Sequence, residues 1–405
     1  MITGVAACSS LGQTDAFIEA LLAGRSGIRS ITSFTISGRG ARQAAELVDF
    51  DPAAFVAPMK LRRMDEVGRL AVAAARLTLD AARLPHDDAG YDDVGVVLGT
   101  CTCGVHSTGE FLDRLLALGP TGAPALLFSN TVGNAAASLV ALEEKLRGPN
   151  TTISYKEASG LAAAALAADM VRAGRAACLL TGGAEDIYDL YFQVHDWFGV
   201  LSKDGEHAEG ARPFDVTRNG FVMGEGAFLA VVEDEARAAT RQAPVLAAIA
   251  GVGATSGVTR LNAWPTDAAP LVRCMRAAMD EAGVSPAQVG TVYAAANGST
   301  DFDGLEAQAI AEAFDGRPVT TTSIKGAVGE GGMAAAASLV AAVLAARRGL
   351  VVPTAGLTTP DPACPPLGWV IGAPQALASP YVLVNSFASG GTNYSLLLSV
   401  VPGVD

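Results

Sequence analysis

Residues 151–183 read TTISYKEASGLAAAALAADMVRAGRAACLLTGG. Thr151–Ser154 is a short β-branched run, the residue type that suits a pleated strand. Leu161–Val171 is Ala-rich and predicts a helix, with Gly174 placed where a helix stops. Ala177–Thr181 (ACLLT) then predicts a buried strand ending at Gly182-Gly183. Strand, helix and strand follow one another within about thirty residues, the grammar of a βαβ unit.

The same grammar returns in residues 319–349, VTTTSIKGAVGEGGMAAAASLVAAVLAARRG. Val319–Ser323 predicts a strand, Met333–Ala346 an Ala-rich helix, and Gly349 its stop. Tyr381–Asn385 and Asn393–Val400 add two more strands. Such alternation implies an α/β protein whose mixed sheets are buried under helices. A helix with small side chains on every face can lie between two sheets without leaving voids. One such helix in each half predicts an internal duplication of βαβαβ type in five layers, α-β-α-β-α. The most polar break in mid-chain, Glu233–Pro244, divides the chain into halves 1–240 and 241–405.

A chain of 405 residues exceeds the ~250–300 that one core serves. Lys+Arg 28 against Asp+Glu 41 leaves a net charge of −13, a poor match to a phosphate backbone, so nucleic acid is not expected as a partner. Hydrophobic residues make up 50% of the chain and charged residues 17%, which excludes a disordered chain and predicts a large subunit interface. The six cysteines, Cys8, Cys101, Cys103, Cys178, Cys274 and Cys364, have neither disulfide-framework nor metal spacing and read as reduced structural thiols. No metal and no cofactor are expected. No basic residue precedes Arg25, so no secretory signal is expected. The uncharged stretches Leu115–Leu142 and Gly331–Ala346 read as core helices: prolines and asparagines break the first, and the second is too short for a span. A cytoplasmic protein that does not enter membranes is the expectation.

Six collinear motifs carry a resemblance. Arg212-Pro-Phe-Asp215 with Asn219-Gly-Phe-Val-Met-Gly-Glu-Gly226 is similar to the signature run of β-ketoacyl synthases of the thiolase superfamily. Leu98-Gly-Thr100, Ala158-Ser-Gly160, Gly182-Gly-Ala-Glu185, Ser323-Ile-Lys-Gly326 and Asn385-Ser-Phe387 with Gly390-Gly-Thr-Asn393 follow in the family's order. The resemblance implies the duplicated thiolase fold and side-by-side dimers. It also implies a catalytic Cys at a strand-to-helix elbow, where the helix terminus favours thiolate, and two His that stabilise the developing anion.

All three catalytic positions depart from the family. The nucleophile's slot holds Glu157, the first His position holds Asn297, and the second holds Glu330, five residues after Lys325. Ser389 stands where the family has a gating Phe. The four histidines, His86, His106, His195 and His207, all lie in the first half, whereas both catalytic His belong to the second. No catalytic residue is therefore expected. Glu157, Lys325 and Glu330 are expected to form a salt-bridged plug in the former active site, since two buried carboxylates need a cation or a shared proton.

A ketosynthase-like chain without its nucleophile resembles the chain-length factor of type II polyketide synthases, and Glu157 suggests a divergent branch such as those making reduced polyenes. The resemblance implies two partners: a catalytic ketosynthase subunit in a heterodimer, and an acyl carrier protein. Phe111, Leu115 and Leu118 share a helix face by spacing, and with Phe128 and Thr131 they resemble the family's tunnel and interface region. Lys60, Arg62, Arg63 and Arg69 read as a solvated helix face, with carrier-protein docking as the sharper alternative. Trp197, Phe198 and Trp264 read as core or interface aromatics, and His195 as structural. The competing reading is a free-standing enzyme that uses Glu157, Lys325 and Glu330 for acid/base decarboxylation or acyl transfer.

Overall fold

The computed structural model describes residues 1–37, 40–84 and 86–403. The strands of the first half are β1 (Ile2–Ser9), β2 (Val94–Gly99), β3 (Asn150–Ile153), β4 (Cys178–Glu185) and β5 (Gly226–Glu233). The second half supplies β6 (Ala247–Ser256), β7 (Thr291–Tyr293), β8 (Thr320–Thr322), β9 (Gly368–Trp369), β10 (Tyr381–Phe387) and β11 (Thr392–Val400). In space the first set is ordered β3-β2-β4-β5-β1, parallel across β3, β2 and β4 and antiparallel at β4/β5 and β5/β1. The second set runs β8-β7-β10-β11-β6 with the same pattern of directions, and β9 extends its outer edge. Chain order, spatial order and direction agree strand for strand, so the duplication lies in the topology itself. The two sets join edge to edge at the Ile2–Ala247 register pair.

Eight helices matter for the layers and the site: α1 (Glu66–Ala81), α2 (Val105–Leu118), α3 (Ala135–Glu143), α4 (Ser159–Arg172), α5 (Asp189–Phe198), α6 (Ala269–Ala282), α7 (Asp303–Ala313) and α8 (Ala334–Arg347). Alternation along β2 sets the first two layers. Val94, Val96 and Leu98 face the cluster containing α1 and α3, while Val97 faces Ala163 and Ala167 of α4. The central layer is α4 with α8. Its core joins Val5 and Phe228 of the first sheet to Val382 and Leu396 of the second. Helices α6 and α7 cover the far face of the second sheet over Val292, Leu383 and Leu397. The result is α-β-α-β-α.

Ala334 through Val343 are all buried, because a helix inside two sheets has no solvent face. Among the described residues no helix is long and apolar enough to cross a membrane.

One boundary differs from the sequence reading. Gly182-Gly183 does not end β4, which runs on to Glu185. Gly182 has φ 141°, and a Cβ there would strike the Phe228 carbonyl. A Cβ on Gly183 would lie 2.8 Å from Met333 Cα. The pair marks close approach to neighbouring backbone rather than a turn. Gly183→Ala should therefore lower the urea-unfolding free energy by about 1–3 kcal/mol, the usual cost of overpacking, while a neutral effect would show that α8 can shift away.

Candidate functional site

Beyond β3 the chain turns sharply. Lys156 has φ 51°, Lys156–Ala158 form one tight turn, and α4 starts at Ser159. Ser159 fastens this elbow: its Oγ accepts from Tyr155 N at 2.9 Å and donates to Lys156 O at 2.6 Å. Glu157 thus sits immediately before the helix. Its Oε1 accepts from Ser389 Oγ at 3.1 Å, and its carbonyl accepts from Ser386 Oγ at 3.0 Å. Its Oε2 is buried and has no hydrogen-bond partner. Burial raises the Glu157 carboxyl above its ordinary range, and the charge of Glu330 raises it further; Lys325 and Lys156 oppose this less strongly. Both effects work against the ionised form.

Lys325 and Glu330 are both buried, with Lys325 Nζ donating to Glu330 Oε2 at 2.7 Å. Asn297 Nδ2 donates to the same oxygen at 2.7 Å, and Gly331 N reaches Oε1 at 3.0 Å. Glu330 is also anchored through its backbone to Val222 and Gly224. The expected plug is therefore corrected. Lys325 pairs with Glu330 alone, while Glu157 bonds to Ser389. One ammonium pairs with one carboxylate, and the second has a serine hydroxyl as its partner, with burial and the Glu330 charge both raising its carboxyl.

Three carboxylates that the sequence reading passed over brace this site. Glu185, at the end of β4, accepts from Cys101 N at 2.7 Å, Thr102 N at 2.7 Å, Thr100 Oγ1 at 3.1 Å and Gly332 N at 3.0 Å, and also from Thr102 Oγ1. It ties the loop after β2 to the loop carrying Glu330. Asp303 accepts from the backbone N–H of Phe214, Asn297 and Gly298, fixing Asn297. Glu306 accepts from Ala295 N at 2.8 Å and Asn385 Nδ2 at 3.2 Å, and its other oxygen is unpartnered. Burial pushes Glu185 and Glu306 up to about 7 and Asp303 up to about 6. Glu185 was visible within a motif, but its partners, three backbone N–H groups and two threonine hydroxyls, lie some 80 and 150 residues away, which spacing cannot reveal.

The chemistry open to this set is limited. The six cysteines are free, and Cys101 alone is not fully buried. Burial, and then the Glu185 carboxylate, push its thiol up to about 12, so it is not a thiolate near neutrality. His195 packs between Tyr191 and Phe221 with Nδ1 2.8 Å from Tyr191 O, a structural placement.

On the outer surface, Phe111 and Leu115 of α2 are half-buried, whereas Leu118 is 66% exposed. Phe128, 62% exposed, packs its ring 5.8 Å from Phe111, and Thr131 Oγ1 bonds to Phe128 O. Leu112, Leu116 and Leu126 are also exposed, as are Leu190, Trp197 and Phe198 on α5. Helix α5 adjoins α2, since His106 stacks on Tyr188 at 4.4 Å. Trp264 instead stacks on the buried Phe302 at 4.0 Å. The basic cluster is partly committed. Lys60 pairs with Glu143 at 2.6 Å, and Arg69 pairs with Glu66 at 3.0 Å; Arg62 and Arg63 are exposed.

Two measurements check this electrostatic picture. Lys325→Met strands the Glu330 charge and should cost about 3–5 kcal/mol in urea unfolding, with most of the loss recovered in Lys325→Met/Glu330→Leu. Glu306 is held near 7 against an ordinary 4.5. The unfolded carboxyl ionises first, so stability falls as pH rises through that window, by up to about 1.4 kcal/mol per pH unit. Glu306→Gln should flatten the decline between pH 5 and 7 and stabilise the protein at pH 8.

Comparison with known proteins supplies the family. The model for "Beta-ketoacyl synthase, N-terminal domain" matches residues 1–238, and that for "Beta-ketoacyl synthase, C-terminal domain" matches residues 246–358. The chain is 31% identical over 408 residues to the 3-oxoacyl-[acyl-carrier-protein] synthase 2 of Coxiella burnetii, covering 99% of this chain and 98% of that one. Among solved structures, "The ishigamide ketosynthase/chain length factor" superposes with a TM-score of 0.92 at 30% identity, covering 99% and 98% of the two chains. A β-ketoacyl synthase from Burkholderia phymatum gives a TM-score of 0.90, also at 30% identity and with the same coverage. With both halves matched and the fold shared along its length, this chain belongs to the β-ketoacyl synthase family.

Proposed function

We propose that this chain is a non-condensing member of the family: a chain-length factor that pairs with a catalytic ketosynthase and shapes the tunnel in which the acyl chain grows. The observation that carries the reading is the buried Lys325–Glu330–Asn297 set, with Glu157 rather than a thiol at the elbow. A condensing enzyme needs a nucleophile that can hold the acyl group as a thioester and donors for the developing oxyanion. A carboxyl at the elbow cannot hold the acyl group as a thioester, because an acylated carboxylate is an anhydride. The Glu330 carboxylate would repel an enolate, and Lys325 is already spent on it. The likeness to a ketosynthase/chain length factor supports the same reading.

The apolar face around α2 is the surface on which such a role would act. Leu112, Leu116, Leu118 and Phe128 stand in solvent in the isolated chain, and a partner subunit would cover them. Phe111 and Leu115 lie behind that face, where bulk sets the depth of a shared tunnel. Arg62 and Arg63 are candidates for meeting an acidic acyl carrier protein.

A second reading draws on one specific observation, the unpartnered Oε2 of Glu157. A carboxyl that keeps its proton could act as a general acid, and a free-standing decarboxylase or acyl transferase would use it so. The two readings part on a single preparation. Coexpressed with a ketosynthase that retains the Cys and both His, the chain should copurify at equal stoichiometry, and without it should neither elongate nor decarboxylate a malonyl thioester. Turnover by the chain alone, abolished by Glu157→Gln, would establish the second reading instead.

Within the complex, Phe111→Ala or Leu115→Ala should shift products toward longer chains, since space for one methylene is worth about 1–3 kcal/mol. Unaltered chain lengths in an intact complex would remove those two residues from the tunnel floor.

A further inference from the structure

Three segments far apart in sequence meet over Glu157. They are the elbow at Lys156, the 257–264 loop, and the Ser389–Gly391 turn. Lys156 Nζ donates to Asn262 Oδ1, to Ser389 O at 3.1 Å and to Ser389 Oγ at 3.3 Å. Lys156 and Asn262 both hold left-handed backbones, at φ 51° and φ 61°, a conformation that L-residues adopt only when their surroundings impose it. Gly390 and Gly391 take φ 100° and φ 97° beside them. Backbone bonds close the rest: Gly390 N to Ala263 O at 2.9 Å, and Gly257 N to Gly391 O at 2.7 Å. Tyr155 stacks on Tyr394 at 6.3 Å along one side. Beneath this cover the Ser389 hydroxyl, held by Lys156, donates to Glu157.

We propose that Lys156 is a latch, holding the 257–264 loop and the Ser389–Gly391 turn shut over the elbow so that the thioester-bearing pantetheine arm of an acyl carrier protein is kept out of this subunit. A long flexible cation suits the task. It reaches two separate segments from the turn before α4 and satisfies three acceptors at once, which no neutral side chain at that position would do. Polar residues beside a merely inactive site would have no reason to converge on one ammonium from two segments far apart in sequence, with both Lys156 and Asn262 in left-handed backbone. In a pair with an active ketosynthase, a docked carrier would then deliver its cargo to the partner's thiol alone. That consequence rests on the non-condensing reading above; the latch itself does not.

The test reads the latch alone. Glu157→Cys places a thiol under the cover without removing any acceptor of Lys156. Pantethine, the disulfide of pantetheine, exchanges with that thiol to leave a mixed disulfide and release one pantetheine, and peptide mass spectrometry follows the modified peptide. In the full chain carrying Glu157→Cys, labelling should be slow, and addition of Lys156→Ala or Asn262→Ala should accelerate it by about tenfold or more, because exchange depends on access. Labelling that stays confined to the introduced thiol supports the latch. Equal rates with and without Lys156→Ala and Asn262→Ala would overturn it. So would labelling that spreads to the buried Cys103 and Cys178, since the lysine would then be holding the fold together rather than a door.

Discussion

The contact on which the rest depends is the glycine-lined approach of α4 and α8 between the two sheets. Gly160 N donates to Gly332 O at 2.9 Å, and a Cβ on Gly160 would sit 2.9 Å from Ala336 Cβ. A Cβ on Gly332 would strike Glu185 Oε2 and lie 2.7 Å from Cys101 N. Here the elbow before α4, the loop before α8, the end of β4 and the loop after β2 touch with backbone on backbone. Any side chain at these glycines would separate Glu157 from Glu330 and loosen the loops that frame them. The site exists because four segments are packed too closely to admit a methyl group.

That packing dictates the electrostatics. Glu157, Glu185, Glu225, Asp303 and Glu306 all lie where burial raises the carboxyl. Lys325 is committed to Glu330. Glu185 and Asp303 accept backbone N–H groups, and each thereby fixes a loop. Glu157 accepts instead from the Ser389 hydroxyl. At this place in the scaffold stand an ion pair, Lys325–Glu330, and a buried carboxyl, Glu157, with Lys156 bonded to Asn262 and Ser389 beside them.

The apolar outer face complements this interior. Leu112, Leu116 and Leu118 of α2, Phe128 in the short helix Ala125–Phe128, and Trp197 and Phe198 of α5 are all exposed.

Much of this was legible in the residues. Ala-rich helices at Leu161–Val171 and Met333–Ala346, each after a β-branched strand, required two buried helices and a duplicated α/β fold, because only small side chains fill a layer between sheets. The motif frame put Glu157, Asn297, Lys325 and Glu330 at one site, and the absence of a Cys and His there was plain from the residues alone. Sequence could not show how the charges pair. Lys325 lies five residues from Glu330, but whether Glu157 joined them depended on distances of a few ångströms across α4 and α8. Nor could it show that Gly182-Gly183 continue a strand, since close approach and turning leave the same glycine signal. The braces at Glu185, Asp303 and Glu306, and the meeting of Lys156 with Asn262 and Ser389, join residues about 100 or more apart or rest on backbone donors that have no sequence identity. Local pattern fixes elements and composition fixes layers, whereas hydrogen bonds between distant loops are decided only when the layers close.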